Sequence, residues 1–258
     1  MNARTSMGRG MEVLGALGRA TRTLPRGMSV TEIAEIAGRD RSQVSRSLGA
    51  LSDSGFAERD ALGYRLAPEV AATAQALTAH RLRTDGVSVL EALSEAVGTP
   101  CFLGQLAGDS TVTIAESVPA SSGLVASWIG RAYPAFCSDA GQAVLWDADD
   151  AEIRAVLAAS DFTTGGPRAV RDADEFIARL NVARDRGYSI VIEEAEPGLA
   201  SVAAPVFDAR GETVAALQLV GPVRELGPRI PELGERCRAS AGVLGAALRG
   251  ERGEVLGS

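Results

Sequence analysis

Asp40-Arg-Ser-Gln-Val-Ser-Arg-Ser-Leu-Gly-Ala-Leu51 reads as a surface helix with one buried stripe. Asp40 stands where an N-cap belongs, and Gln43 occupies the capping-box position. Val44, Leu48 and Leu51 recur at spacings of four and three, which places them on one apolar face. The opposite face offers Ser42, Arg46 and Gly49, flanked by Gln43, Ser45 and Ala50, with no carboxylate before Asp53. Small hydrogen-bonding groups and a cation on the outside of a helix suit a DNA major groove.

The flanking residues complete a motif. Ser29 to Ala37 reads as a second short helix, with Ser29 and Glu32 as its capping box and Val30, Ile33, Ala34 and Ala37 as its apolar face. Only Gly38-Arg39-Asp40 separates the two, so together they form a helix-turn-helix. Gly55-Phe-Ala-Glu-Arg, a break at Asp60-Ala-Leu-Gly63, and Tyr64-Arg-Leu66 read as a β-hairpin in the place of a wing. A helix pair alone would equally suit a globular core; the attached wing favours DNA.

Composition sets the frame. The chain has 258 residues, which suggests two domains or one large one, and its hydrophobic fraction of 46% is ample for buried cores. No run approaches 18 apolar residues, so no transmembrane helix is expected. No apolar segment ahead of a cleavage site is visible in residues 1–25. Cys101, Cys137 and Cys237 are far apart and form no CxxC pair, which fits a reducing cytoplasm and speaks against a zinc site or a disulfide framework. The net charge of −7 is unevenly spread: residues 1–83 hold 12 Arg against 8 acidic residues, and the remainder 14 against 25. A basic first third joined to an acidic remainder suggests a nucleic-acid module attached to something else.

Taken in order, a first helix is expected over about Arg9 to Ala20, then an Arg- and Pro-containing loop from Thr21 to Gly27, then the helix-turn-helix and wing. Residues 68–83 are Ala-rich and helical in propensity, a linker helix suited to close packing against a partner chain. From Val87 the pattern changes to an amphipathic helix bearing Val89, Leu90, Leu93 and Val97. Cys101 to Ala107 and Thr111 to Ser117 read as strands about a Gly108-Asp109 turn, and Leu124 to Ile129 as a third strand. Helices follow over Ser138 to Trp146, Asp149 to Ala159 and, capped by Asp172, on to Asp185. Strands are expected at Tyr188 to Glu194, Val202 to Phe207 and Thr213 to Val220, then a closing helix bearing Leu233, Cys237, Ala241, Leu244 and Leu248. The second part is thus α+β, an antiparallel sheet of five or six strands covered by helices.

Read as a whole, the sequence resembles the IclR family of bacterial transcription regulators from about Gly10 to Leu248. The resemblance rests first on Val30-Thr-Glu-Ile-Ala, Ser42-Gln-Val-Ser-Arg-Ser-Leu and Gly55-Phe-Ala-Glu-Arg-Asp. It continues with Gly130-Arg-Ala-Tyr-Pro134 and Ser138-Asp-Ala-Gly-Gln-Ala143, then Gly187-Tyr188, Glu193-Glu-Ala-Glu-Pro-Gly198 and Val202-Ala-Ala-Pro-Val206, and ends on Val214-Ala-Ala-Leu with Gly221-Pro222. It implies an N-terminal winged helix-turn-helix, a linker helix and a C-terminal GAF-like antiparallel sheet domain covered by helices. The corresponding spans are 1–67, 68–85 and 86–250. It also implies three partners: a double-stranded DNA operator, a small-molecule effector, and the chain itself as a homodimer or dimer of dimers. No membrane, metal or cofactor enters.

Site residues follow from the same reading. Ser42, Gln43 and Arg46 are expected at base edges, and Arg41, Arg59 and Arg65 at phosphates or the minor groove, with Thr31, Ser45 and Tyr64 completing the interface. The effector is expected between the sheet and the short helix, enclosed by Val125, Trp128, Asp139, Ala140, Val191, Ser201, Gln218 and Val220. The family places polar groups where this chain has Val191, Ser201, Gln218 and Val220, a small residue where it has Asp139, and Lys where it has Gln142. Those exchanges argue against an α-oxo acid such as glyoxylate or pyruvate, and for a neutral or cationic effector with a longer carbon skeleton. Asp139 has a competing reading as a helix cap facing away. Trp128 reads equally as core or as pocket wall, and Cys101 and Cys137 as packing residues.

Two rival functions are weighed. In one, the helix pair serves a protein partner instead of DNA, which the basic first third and the Arg-bearing face disfavour. An enzyme would need a constellation the sequence lacks: one His, His80, lies in the Ala-rich segment, and no HExxH, P-loop or GxSxG is present. Glu193, Glu194 and Glu196 offer carboxylates, but the ordinary reading of such residues is a solvated strand end.

Overall fold

Ser29 builds the first capping box of the molecule. Its hydroxyl accepts from Glu32 N and its own N–H donates to the Glu32 carboxylate at 2.8 Å. The computed structural model describes residues 5–21, 27–122 and 127–251, in two compact units that meet between Ala79 and His80.

The first unit holds α1 (Ser6–Thr21), α2 (Val30–Ala37), α3 (Arg41–Asp53), β1 (Ala57–Asp60), β2 (Gly63–Leu66) and the start of α4 (Pro68–Val97). α2 ends at Gly38 in the left-handed conformation, and α3 begins three residues later with Asp40 accepting from Ser42 N. Val13, Ala16 and Leu17 of α1 pack with Ile33 and Ala34 of α2 and with Val44 and Leu48 of α3. The wing is an antiparallel hairpin pairing Ala57 with Leu66 and Asp60 with Gly63. Gly63 touches the backbone of Met28, where a Cβ would meet the carbonyl oxygen at 2.3 Å, so the wing seats against that segment only with glycine there.

The second unit is a six-stranded sheet in the order β5-β4-β3-β8-β7-β6, antiparallel throughout. Its strands are β3 (Cys101–Ala107), β4 (Ser110–Ser117), β5 (Ala132–Pro134), β6 (Ser189–Ile192), β7 (Leu199–Phe207) and β8 (Thr213–Pro222). Between β5 and β6 come α5 (Asp139–Val144), α6 (Asp150–Leu157) and α7 (Ala173–Arg186); the short α8 (Val223–Leu226) and long α9 (Ile230–Leu248) close the chain. Alternation along the strands sends side chains to two cores. Cys101, Leu103, Val202, Ala204, Leu217 and Leu219 join Leu90 and Leu93 of α4 and Leu233, Cys237 and Leu244 of α9. Ala203 and Ala216 join Phe136, Ala140, Ala143, Ile153, Phe176 and Leu180 under α5, α6 and α7.

Three expectations change. The Ala-rich segment and the amphipathic segment after it are one helix, α4, because Gly86 continues it; a Cβ there would lie 2.5 Å from Leu103 Cδ1, so glycine lets the helix lie close to β3. The described part of the expected third strand, Ser127 to Ile129, is irregular and runs into a turn, and the strand on that edge is β5 instead. The α3 cap forms on Asp40, but Gln43 does not close the box, and its amide stays exposed.

Candidate functional site

Two surfaces carry the residues singled out in the sequence. On the first unit, burying Val44 and Leu48 leaves Arg41, Ser42, Gln43, Ser45 and Arg46 exposed along α3, with Thr31 exposed at the start of α2. Among the described residues Arg41 and Arg46 have no ion-pair partner within 4 Å. The Ser42 hydroxyl donates to Asp40 at 2.6 Å, so it meets an incoming group as an acceptor, and that bond holds the Asp40 carboxyl below its ordinary pKa. The wing is less free than its sequence promised. Arg65 lies between Glu58 at 3.0 Å and Asp60 at 3.7 Å, and Arg59 sits over the half-buried Tyr64 ring at 5.4 Å.

On the second unit a partly open cavity lies on the α5 side of the sheet. It is bordered by Trp128, Asp139, Val191, Ser201, Gln218 and Val220, which the sequence named. Gly104, Thr111, Val112, Thr113, Tyr133, Ser138, Ala195, Glu196 and Leu199 also border it. Ala140 is buried in the core beneath α5 and does not border the space. Val125 lies outside the described residues. The cavity measures about 40 Å³, room for about three waters. Val191 and Val220 form its apolar wall.

Asp139 is the first residue of α5, and the preceding Ser138 is the cap, its hydroxyl accepting from Gly141 N at 2.9 Å. The capping role is therefore taken, and the Asp139 side chain is buried at 4% exposure, with Oδ2 lacking a partner. Burial pushes its pKa to about 6 against the opposing pull of the Ser201 hydroxyl and the first amides of α5. Across the cavity the Tyr133 hydroxyl donates to Glu196 at 2.6 Å, and burial, reinforced by that carboxylate, raises the phenol to about 12. The Trp128 ring stacks on Phe102 at 4.9 Å and tilts against Tyr133 at 5.7 Å, with the Arg131 guanidinium 5.4 Å from its centre. Its backbone N–H donates to Glu116 at 2.7 Å. Trp128 thus packs on a core aromatic and borders the cavity as well.

The glutamates after β6 are not a solvated strand end. Glu194 is buried at 5% exposure and pairs with Arg179 at 2.7 Å, and burial lifts its pKa to about 7. Glu193 adopts a positive φ of 57° and accepts from Gly198 N, which turns the chain so that Glu194 points in. Of the residues sequence reasoning missed, Thr111 and Thr113 had a signal: both lie on one face of β4 by alternation. The contact between Tyr133 and Glu196 had none, since 63 residues separate them and only the tertiary fold joins them.

Comparison with known proteins matches both parts of the chain. Residues 6–61 match the IclR helix-turn-helix domain, and residues 74–244 match the family described as Bacterial transcriptional regulator IclR C-terminal. The chain is 29% identical to the Pca regulon regulatory protein of Pseudomonas putida over 217 residues, covering 83% of this chain and 73% of that protein. It is 32% identical to the HTH-type transcriptional regulator Rv1719 of Mycobacterium tuberculosis, covering 83% of each. An IclR-family regulator structure from Rhodococcus sp. superposes with a TM-score of 0.66 at 26% identity over 96% of each chain. The fold is also that of the Thermotoga maritima IclR crystal structure, with a TM-score of 0.62 at 21% identity over 94% of this chain and 98% of that one. With its helix-turn-helix DNA-binding domain and its C-terminal effector-binding domain both matched, this chain belongs to the IclR family of bacterial transcriptional regulators.

Proposed function

We propose that this regulator reads an operator through the outer face of α3 and is controlled by a small molecule held in the cavity between α5 and the sheet. The observation that carries the first half is the exposed run Arg41, Ser42, Gln43, Ser45 and Arg46 on a capped helix whose other face is core. Arg46 and Gln43 have the donor geometry for guanine and adenine edges, and Arg41 and Arg59 serve phosphates. Arg65 must leave Glu58 and Asp60 to do the same, so it contributes less. The second half rests on a cavity lined by hydroxyls, an amide, carboxyls and aromatic rings, a mixture that orients a ligand. A ligand there changes transcription only by binding one arrangement of the protein more tightly than another. The same carboxyls would serve acid–base chemistry, but the relatives are transcriptional regulators, which favours sensing over turnover. Such a reader acts where the DNA is, in the cytoplasm, and no helix among the described residues is long and apolar enough to cross a membrane.

A mobility-shift titration against the DNA upstream of its own gene tests the reading. Arg46→Ala should weaken cognate binding by about 1–3 kcal/mol and relax the preference at one base position. Unchanged affinity and preference would remove α3 from the interface.

A further inference from the structure

The cavity combines an uncompensated acid with a lack of cations. Among the described residues that border it, the ionisable groups are Asp139, Glu196 and Tyr133, and there is no Arg. The nearby guanidiniums are engaged: Arg131 lies over Trp128, and Arg179 is held by Glu194 and Glu175. Glu196 already accepts from Tyr133, whereas Asp139 keeps one buried oxygen with no partner. A buried carboxylate without a counter-charge is costly, and a cation that pairs with it removes that cost. A carboxylate ligand would meet Asp139 and Glu196 as like charges in a space of low dielectric. Trp128 and Tyr133 add apolar ring surface at the border. The enclosed space is small, about 40 Å³, and suits a small ligand.

We propose that the effector of this cavity is a small primary amine, bound as its ammonium ion, with Asp139 accepting from the ammonium head and Val191 and Val220 flanking the short carbon chain. This rests on the reading of the cavity as the effector site. The ammonium supplies three donors, which Asp139, Ser201 and Gln218 can accept together. The other ionisable groups around Asp139 are Glu194 with Arg179, Glu196 with Tyr133, and the Cys137 and Cys237 thiols, both pushed up by burial and therefore neutral. Ionisation of Asp139, and next of Glu194, makes the surroundings more anionic as pH rises, so amine affinity rises with it.

The test is calorimetry on the full chain with n-propylamine and ethanolamine, set against propionate, glyoxylate and 1,2-propanediol. The amines should bind at about pH 8 and bind about tenfold or more weakly at about pH 5, where Asp139 is protonated. Asp139→Asn should weaken them by a similar factor at the higher pH and flatten most of the pH dependence. Tighter binding of an acid or the diol than of either amine, amine binding undiminished in Asp139→Asn, or no amine binding at either pH overturns the proposal. The pH arm needs no variant, so a folding failure of Asp139→Asn leaves a decision in hand. Val220→Phe, which fills the space, separates the two levels. If it abolishes binding of an acid or diol that proves to be the tighter ligand, the cavity stands and the amine falls. If binding persists in Val220→Phe, the cavity itself is not the site.

Discussion

Asp139 holds its carboxyl largely out of solvent, and the consequence is thermodynamic as well as functional. Its pKa in the fold is about 6 against an ordinary 3.8, because burial disfavours the charge more than Ser201 and the α5 amides favour it. Between those two values the folded chain binds more protons than the unfolded chain, so stability falls as pH rises. The contribution is fully present below the unfolded value and is lost as pH passes through the folded value. The gap corresponds to about 3 kcal/mol. Glu194, raised from 4.5 to about 7, pulls the same way and extends the window upward. Urea denaturation of Asp139→Asn should therefore show a shallower decline between about pH 4 and about pH 7 than the parent, and a higher midpoint at the upper end. An equally steep decline in both proteins would mean that Asp139 is solvated. At this scale the sequence showed most where one residue type departs from a family pattern, as at Asp139, Gln218 and Val220. It was silent where a contact depends on folding, as for Tyr133 with Glu196 or Glu194 with Arg179.

Elements were legible wherever caps and periodicity agreed. Ser29 with Glu32 and Asp172 with Glu175 N formed as their spacing required, and strand alternation fixed which side chains enter which core. Legibility failed where packing overrode local preference. Gly86 looks like a helix breaker and is instead a point of close approach to β3, and Trp128 looks like strand and sits just before a turn. Two glycines in helices show how context decides. Gly49 in α3 has nothing within 4 Å of an added Cβ, so Gly49→Ala removes unfolded-state freedom without a clash. It should stabilise the protein by about 0.4–1 kcal/mol. Gly141 in α5 would place its Cβ 1.9 Å from the Ala135 carbonyl oxygen, backbone against backbone. Gly141→Ala should lose about 1–3 kcal/mol or more as α5 is forced off the turn before it, and should disturb Asp139 two residues away. Thermal melts of the two variants settle the matter; equal effects, or the reverse order, would refute the contacts on which both rest.

The whole molecule carries one α3 per chain, and that bears on assembly. A single recognition helix reads a short run of bases, whereas a two-fold dimer reads two half-sites related by the same symmetry. α4 points the same way. Ala72 through Leu77 are all exposed, Leu77 to 57%, so among the described residues this stretch rests on no core. A helical stretch of that length is marginal in water without tertiary packing. Its small side chains let a second backbone come close, and Leu77 supplies an apolar anchor. The expected state is therefore at least a dimer, with copies meeting along this part of α4, and the operator a pseudo-palindrome. Its half-sites should be about 10–10.5 base pairs apart centre to centre, or a multiple of that spacing. Light scattering should give at least twice the mass of one chain, and Leu77→Glu should lower the association and, with it, the affinity for a full operator while sparing a half-site. A monomer at working concentration, with and without DNA, would reject the assembly, and a dimer indifferent to Leu77→Glu would move the interface away from α4.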